Sequence, residues 1–186
     1  MGATCAAGGR AQRVERERSV ETGRVVVVMG VSGTGKTTVG ELLAADLGVP
    51  YAEADAFHSP ANVAKMASGT PLDDEDRWPW LDAIGAWAAE RGGRGGVVSC
   101  SALKRVYRDR LRAAAPGLVF VHLHGTREVI SARQSAREGH FMPSSLIDSQ
   151  FATLEALEAD EVGVLVDVAP GPESVAREAA AALRKL

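Results

Sequence analysis

The sequence predicts an α/β fold: a five-stranded, doubly wound parallel sheet flanked by helices, with a helical insertion. Three observations predict it. From residue 24 onward, short β-branched runs alternate with longer helical patterns. The first run is apolar throughout. One strand-to-strand step also holds two helical stretches separated by a break at residues 139–143.

The first strand is read at residues 24–29, a valine run bounded by Gly30. A continuous apolar run suits a central parallel strand buried on both faces. A helix is expected from Lys36 to Leu47, with Gly48 as its stop. Residues 50–54 read as a short second strand. Ser59 and Pro60 mark the start of a helix over 60–68 as N-cap and first position. Another helix is expected from near Asp76, with Pro79 in its first turn, where a missing N–H is tolerated. Trp80, Leu81, Ile84, Trp87 and Ala88 then share one apolar face, and Gly92, Gly93, Gly95 and Gly96 end it. Strands three, four and five are read at 97–100, 118–123 and 162–168. Helices are read at 104–114, 126–138, 144–158 and 173–186.

Residues 1–23 carry Arg10, Arg13, Arg16 and Arg18 among glutamates, with little apolar content. They read as a disordered extension without the hydrophobic segment of a secretory signal. A single domain is expected over 24–186, with a lid around 126–156.

Between the first strand and the first helix runs Gly30-Val31-Ser32-Gly33-Thr34-Gly35-Lys36-Thr37, a complete G-x-x-x-x-G-K-[ST] pattern. Glycines allow backbone N–H groups to curl around phosphate oxygens, and the helix start adds partial positive charge. Lys36 bridges the terminal phosphates in such a loop, and the Thr37 hydroxyl coordinates Mg²⁺. The pattern in this position predicts a P-loop kinase fold. Gly30, Ser32, Gly33, Thr34, Gly35, Lys36, Thr37 and Thr38 are the expected ATP contacts. A surface turn with a lysine is the plainer alternative, and the complete motif outweighs it.

Ligands of open α/β sheets bind beyond the carboxyl ends of the strands. Strand two ends in Glu53-Ala54-Asp55, followed by His58. Asp55 is the expected base or hydrogen-bond acceptor for the acceptor hydroxyl, and Glu53 is expected to hold Mg²⁺ through water.

The stretch from His58 through Asn62, Lys65-Met66, Gly69, Pro71-Leu72, Asp74, Asp76-Arg77 and Pro79-Trp80-Leu81 resembles the signature of the bacterial-type gluconokinases. Cys100-Ser101-Ala102-Leu103-Lys104, followed by Tyr107-Arg108-Asp109 and Leu111-Arg112, resembles that family's second block. A third match joins Arg133, Arg137, Gly139-His140-Phe141-Met142 and Gln150-Phe151-Ala152-Thr153-Leu154-Glu155. The blocks run in order from about residue 25 to 156. One departure stands out: where the family commonly carries a first aspartate after strand two, this chain has Glu53.

The resemblance implies ATP-dependent phosphorylation of D-gluconate to 6-phospho-D-gluconate by a cytoplasmic homodimer. A sugar acid needs cations for its carboxylate and hydrogen-bonding groups for its hydroxyls. His58, Lys65, Arg77, Lys104, Arg108 and His140 join Asp55 as expected substrate contacts. For any one of these cations, a solvated helix face is the plainer reading. Arg133 and Arg137 share one helix face before the 139–143 break and are expected to meet the ATP phosphates, Arg133 with a catalytic part. Asp73 to Asp76 suit a helix start better than a metal, Trp78, Trp80 and Trp87 suit the core, and His122 and His124 read as structural histidines.

Composition closes off other classes. With a net charge of −3 and 5% aromatic residues, the chain has neither a basic stripe for duplexes nor stacking platforms for single strands. No apolar run is long enough to cross a membrane, and Cys5 and Cys100 do not suggest a disulfide framework. Two alternatives stay open. One is a shikimate-kinase-like enzyme, although Ser99 to Lys104 stand where such enzymes typically carry a glycine triplet. The other is a nucleotide-binding regulator without transferase activity.

Overall fold

A computed structural model describes residues 23–135 and 144–186. Arg137, His140 and all but Gly23 of the N-terminal extension lie outside the described residues.

In chain order the elements are β1 (Val25–Met29), α1 (Lys36–Leu47), β2 (Tyr51–Glu53), α2 (Pro60–Ala67), α3 (Asp74–Glu90), β3 (Gly96–Ser99), α4 (Arg105–Ala114), β4 (Val119–His124), α5 (Arg127–Ser135), α6 (Ser144–Thr153), β5 (Gly163–Asp167) and α7 (Pro172–Leu183). The five strands are all parallel, in the order β2-β3-β1-β4-β5. This is the expected fold class.

The valine run explains its own place. Side chains alternate across a strand, so Val26 and Val28 enter one core while Val25, Val27 and Met29 enter the other. All five are buried, which only the centre of a sheet covered on both faces permits. One core joins them to Val39, Leu43, Val175 and Ala179 of α1 and α7. The other holds Trp80, Leu81, Ile84, Tyr107 and Leu111 of α3 and α4. Two layers of helices thus press a rigid sheet whose carboxyl edge carries the phosphate loop and the end of β2.

The structure moves some boundaries. Helix α3 starts two residues before its expected first turn, because Asp73 and Asp76 form a reciprocal capping box, each side chain accepting from the other's backbone N–H at 2.9 Å. Pro79 therefore lies inside the helix rather than in its first turn. Its ring leaves the carbonyl one turn back without its usual donor. The end of β2 turns at once into a short 3₁₀ segment, Ala54–Phe57. Helix α6 ends at Thr153 instead of continuing to 158. Two residues later the Glu155 N–H already donates to the Leu103 carbonyl at 2.8 Å, so the chain is tied down across the sheet edge.

Candidate active site

The phosphate loop closes around backbone geometry that side chains would obstruct. Gly30 has φ 141°, and a Cβ there would stand 2.5 Å from the Leu123 carbonyl oxygen. Neither condition tolerates another residue. Thr34 is fully buried, its hydroxyl donating to the Val31 carbonyl at 2.9 Å. Lys36 folds back over the loop, with Nζ donating to the same carbonyl at 3.0 Å. Thr37 and Thr38 face solvent at the start of α1.

Two glutamines that the sequence reading gave no role rest on this loop. The Ser32 N–H donates to Gln150 Oε1 at 2.6 Å. The Gln134 side chain lies so close to Gly33 that a Cβ there would meet its Cγ at 2.6 Å. A backbone N–H that the motif reserves for an anion is thus held by an amide oxygen, the nearest neutral mimic of a phosphate oxygen. Gln150 lies in the later part of the third family block, which was the one signal pointing to it.

Beside the loop, the Thr37 hydroxyl donates to Glu53 Oε2 at 2.8 Å. A hydroxyl that gives its one proton away keeps its lone pairs for a cation, and the surrounding donors are all oxygen, so the pair suits Mg²⁺. Tyr51 Oη also donates to Glu53 Oε2 at 2.8 Å, and Ser99 Oγ donates to Oε1 at 2.6 Å. Burial, with Glu53 adding to it, pushes the Tyr51 phenol far above its ordinary range and keeps it a donor. Sequence reasoning passed over Tyr51 and Ser99. Strand alternation places Tyr51 on the face of Glu53, and Ser99 is the register partner of Glu53 across β2 and β3.

On the other side of the strand ends, Asp55 is exposed in the 3₁₀ turn. His58 follows, half-buried and stacked on Trp80 at 4.6 Å with the rings 9° apart. Trp80 is in turn fixed by Nε1 donating to the Ala54 carbonyl at 2.7 Å. So Trp80 is core on one side and a brace for His58 on the other. Burial lowers the His58 pKa, Asp55 works against that, and Arg77 reinforces it. The ring is therefore mostly neutral near pH 7, with its buried Nδ1 unpartnered among the described residues.

The cations expected to hold a sugar acid fall into two groups. Lys104 donates to both oxygens of Asp74, at 2.8 and 3.0 Å, and lies 5.2 Å above the Tyr107 ring. Lys65 pairs with Asp73 at 3.3 Å and with Asp76, binding α2 to the capping box of α3. Arg77 donates to the Leu72 carbonyl at 3.3 Å and stands over Tyr107. All three sit at or near the surface, and the ion pairs of Lys65 and Lys104 are ones that water already screens.

Arg108 belongs to neither solvent nor cleft. The expectation that it binds substrate is corrected here. Its side chain is fully buried, with Nε and one terminal nitrogen on Glu161 at 2.6 and 2.9 Å. The remaining donors reach the carbonyls of Ala102, Leu103, Glu155 and Ala156. No donor remains for a ligand. Arg108 instead holds the turn after β3, where Ala102 takes the left-handed conformation at φ 42°. Such a residue costs about 1 kcal/mol and needs its surroundings to fix it.

Arg133 also points elsewhere than expected, donating to the Val168 and Pro170 carbonyls at the β5–α7 turn rather than to the phosphate loop. Cys100 is buried, and burial pushes its thiol up to about 12, which removes it as a nucleophile. His122 is buried with both ring nitrogens unpartnered among the described residues, as fits a structural residue of β4.

Known proteins resemble this chain in sequence and in fold. A family model described as shikimate kinase matches residues 32–160. The gluconokinase of Gluconobacter oxydans is 49% identical over 157 residues, covering 83% of this chain and 88% of that protein. The thermoresistant gluconokinase of Escherichia coli is 44% identical over 144 residues, covering 76% and 82%. The crystal structure of a gluconokinase from Sinorhizobium meliloti matches with a TM-score of 0.81 at 52% identity, covering 88% of this chain and 93% of that one.

Proposed function

The chain belongs to the shikimate kinase family of P-loop enzymes and, within that fold, to the gluconokinases; from that premise we propose that it transfers the γ-phosphoryl group of ATP to D-gluconate. The products are 6-phospho-D-gluconate and ADP. The observation that carries this reading is one sheet edge with a complete phosphate loop on one side and Asp55 with His58 on the other.

Asp55 accepts the proton of the terminal hydroxyl as that oxygen attacks the γ-phosphorus in line, and the bond to the ADP oxygen breaks. Lys36 leaves the Val31 carbonyl to meet the charge on the phosphates. Neutral His58, braced by Trp80, offers a hydrogen bond to a substrate hydroxyl. Lys104, Lys65 and Arg77 meet the carboxylate and the remaining hydroxyls. Exposed ion pairs are worth about 0–1 kcal/mol, so Asp74, Asp73 and Asp76 give way to a substrate carboxylate at little cost. Thr37, with Glu53 behind it, would hold Mg²⁺, which when bound would neutralise phosphate charge.

Residues 126–156 act as a cover over the nucleotide in this reading. The contacts of Gln134 and Gln150 with the loop support it. Arg133, next to Gln134, is the cation that joins the transferring group once released from its two carbonyls; Arg137 is proposed to meet the ATP phosphates and His140 the substrate. The catalytic domain spans 24–186, apart from the extension before it. A cytoplasmic homodimer acting on a small molecule, with no nucleic acid or membrane partner, completes the proposal. Light scattering on the purified protein tests the dimer. Among the described residues, no helix is long and apolar enough to cross a membrane.

A coupled ADP-release assay with ATP and Mg²⁺ tests the activity, offering gluconate, shikimate, related sugar acids and AMP separately. Turnover selective for gluconate is expected. Turnover with shikimate alone would replace the acceptor and keep the phosphate chemistry. ATP binding without turnover on any acceptor would favour a regulator.

A further inference from the structure

Tyr51 carries a phenol that the phosphoryl transfer described above does not use. Its ring packs on Gly40, in the interior of α1 one turn beyond Thr37; a Cβ there would meet the ring at 2.7 Å. A glycine inside a helix is unfavourable, and here it makes the space that lets β2 approach the helix following the phosphate loop. The contact sets the phenol oxygen 2.6 Å from Ser99 Oγ and 2.8 Å from Glu53 Oε2. Ser99 is fully buried on β3 and reaches the other oxygen of the same carboxylate at 2.6 Å.

Three elements therefore converge on Glu53: Thr37 from α1, Tyr51 from β2 itself, and Ser99 from β3. The three hydroxyls bring three protons to four close oxygen contacts, so one contact is always without a proton. The protons are therefore shared over one network with the carboxylate, in which either Tyr51 or Ser99 can donate across the 2.6 Å contact between them. A glutamate has one more rotatable bond than the aspartate common at this place in the family, and this clamp removes the added freedom.

We propose that Tyr51 and Ser99 are positioning residues that lock Glu53 against the Thr37 hydroxyl and so set the affinity of the nucleotide site for its divalent cation. The inference rests on the reading of Thr37 and Glu53 as the Mg²⁺ pair. Tyr51 and Ser99 both act through Glu53.

Binding rather than turnover tests it. ADP is titrated into the wild-type protein, Tyr51→Phe and Ser99→Ala by calorimetry, once in EDTA and once with Mg²⁺. In the wild type, Mg²⁺ is expected to tighten ADP binding. Each variant is expected to lose about tenfold of that gain, the scale for groups that orient a metal ligand, with affinity in EDTA kept within about twofold. Glu53→Asp should cost the wild type more than it costs Tyr51→Phe, because the clamp is already open there. Variants that keep the full Mg²⁺ gain would overturn the proposal. So would an equal loss of ADP affinity in EDTA, which would make the pair a brace for the loop alone. Absence of any Mg²⁺ gain in the wild type would sink the metal reading itself, and is seen without any variant.

Discussion

The phosphate loop and the face proposed to take the acceptor are built from different material. The first is mostly backbone: three loop glycines at positive φ, a helix start, and a loop N–H, that of Ser32, held by Gln150. The second is mostly side chain. Lys65 is bound to Asp73 and Asp76, Lys104 to Asp74, and Arg77 to a carbonyl, so each cation already has a partner. A backbone site is set once its strand and helix are set. A side-chain site is set only by which long side chains meet, and its exposed pairs can be exchanged for a ligand. Arg108 and Glu161 mark the limit of such exchange, since a pair without solvent cannot be traded without leaving a bare charge.

The sharpest way to break the comparison is Lys36→Met. Loss of the cation on the terminal phosphates is expected to lower kcat by about 10³-fold or more, with the melting temperature held, as the charge acts on the transition state. Lys104→Met on the acceptor side should instead raise the KM for gluconate about tenfold with a smaller change in kcat, read in the same steady-state assay. Equal kcat losses from both would erase the distinction drawn here.

Next in size is Arg108→Met. It leaves Glu161 buried without a partner and is expected to cost about 3–5 kcal/mol in urea unfolding. The gluconate KM of the surviving folded enzyme should stay near wild type. Adding Glu161→Leu should restore most of the stability. A large KM rise at full stability would return Arg108 to the substrate site. Burial opposes the charge on Glu161, but Arg108 outweighs it and holds its pKa below the ordinary value. That contribution is present above the ordinary glutamate pKa and is lost as pH falls through the lowered one.

His122 gives a smaller effect with its own pH signature. Burial, then the nearby His124 and Arg108, lowers its pKa to about 4. The unfolded chain takes up the proton near pH 6.5 while the folded chain resists it. Stability from this group is therefore complete above that value and falls as pH drops toward 4, by about 2 kcal/mol at pH 5. Urea unfolding of His122→Leu at pH 8 and pH 5 should show that part of the acid loss removed. An unchanged pH slope would show that His122 is not buried as a neutral ring.

The smallest expected change is at Gln150. Its amide competes with phosphate oxygen for the Ser32 N–H, so Gln150→Ala should bind ADP about threefold more tightly in EDTA, measured by calorimetry. Weaker binding would mean that Gln150 assists the nucleotide rather than standing in for it.

Much of this was legible in the chain. The strand–helix alternation, the valine run of β1 and the limits of α1 follow from local pattern, because periodicity and glycine placement act within a few residues. The boundaries that slipped did so for one distant reason and one local one. Helix α6 stops early because Glu155 is claimed by Leu103, and α3 starts early because Asp73 finds Asp76. In the site, the phosphate loop and Thr37 were readable as a contiguous motif. Tyr51, Ser99 and Gln150 were not, since each gains its part from a residue on another element or from the pairing of two strands.

The sequence by itself determined the sheet, the phosphate loop and the acidic end of β2, all of which depend on backbone conformation and short-range spacing. Tertiary structure alone decided that Arg108 spends its charge on Glu161, that Lys65 and Lys104 rest on acids, and that Glu53 is clamped by Tyr51 and Ser99. The physical reason is reach. A guanidinium or ammonium on a flexible stem has many carboxylates within its length, and only the packed sheet and helices select which one it meets.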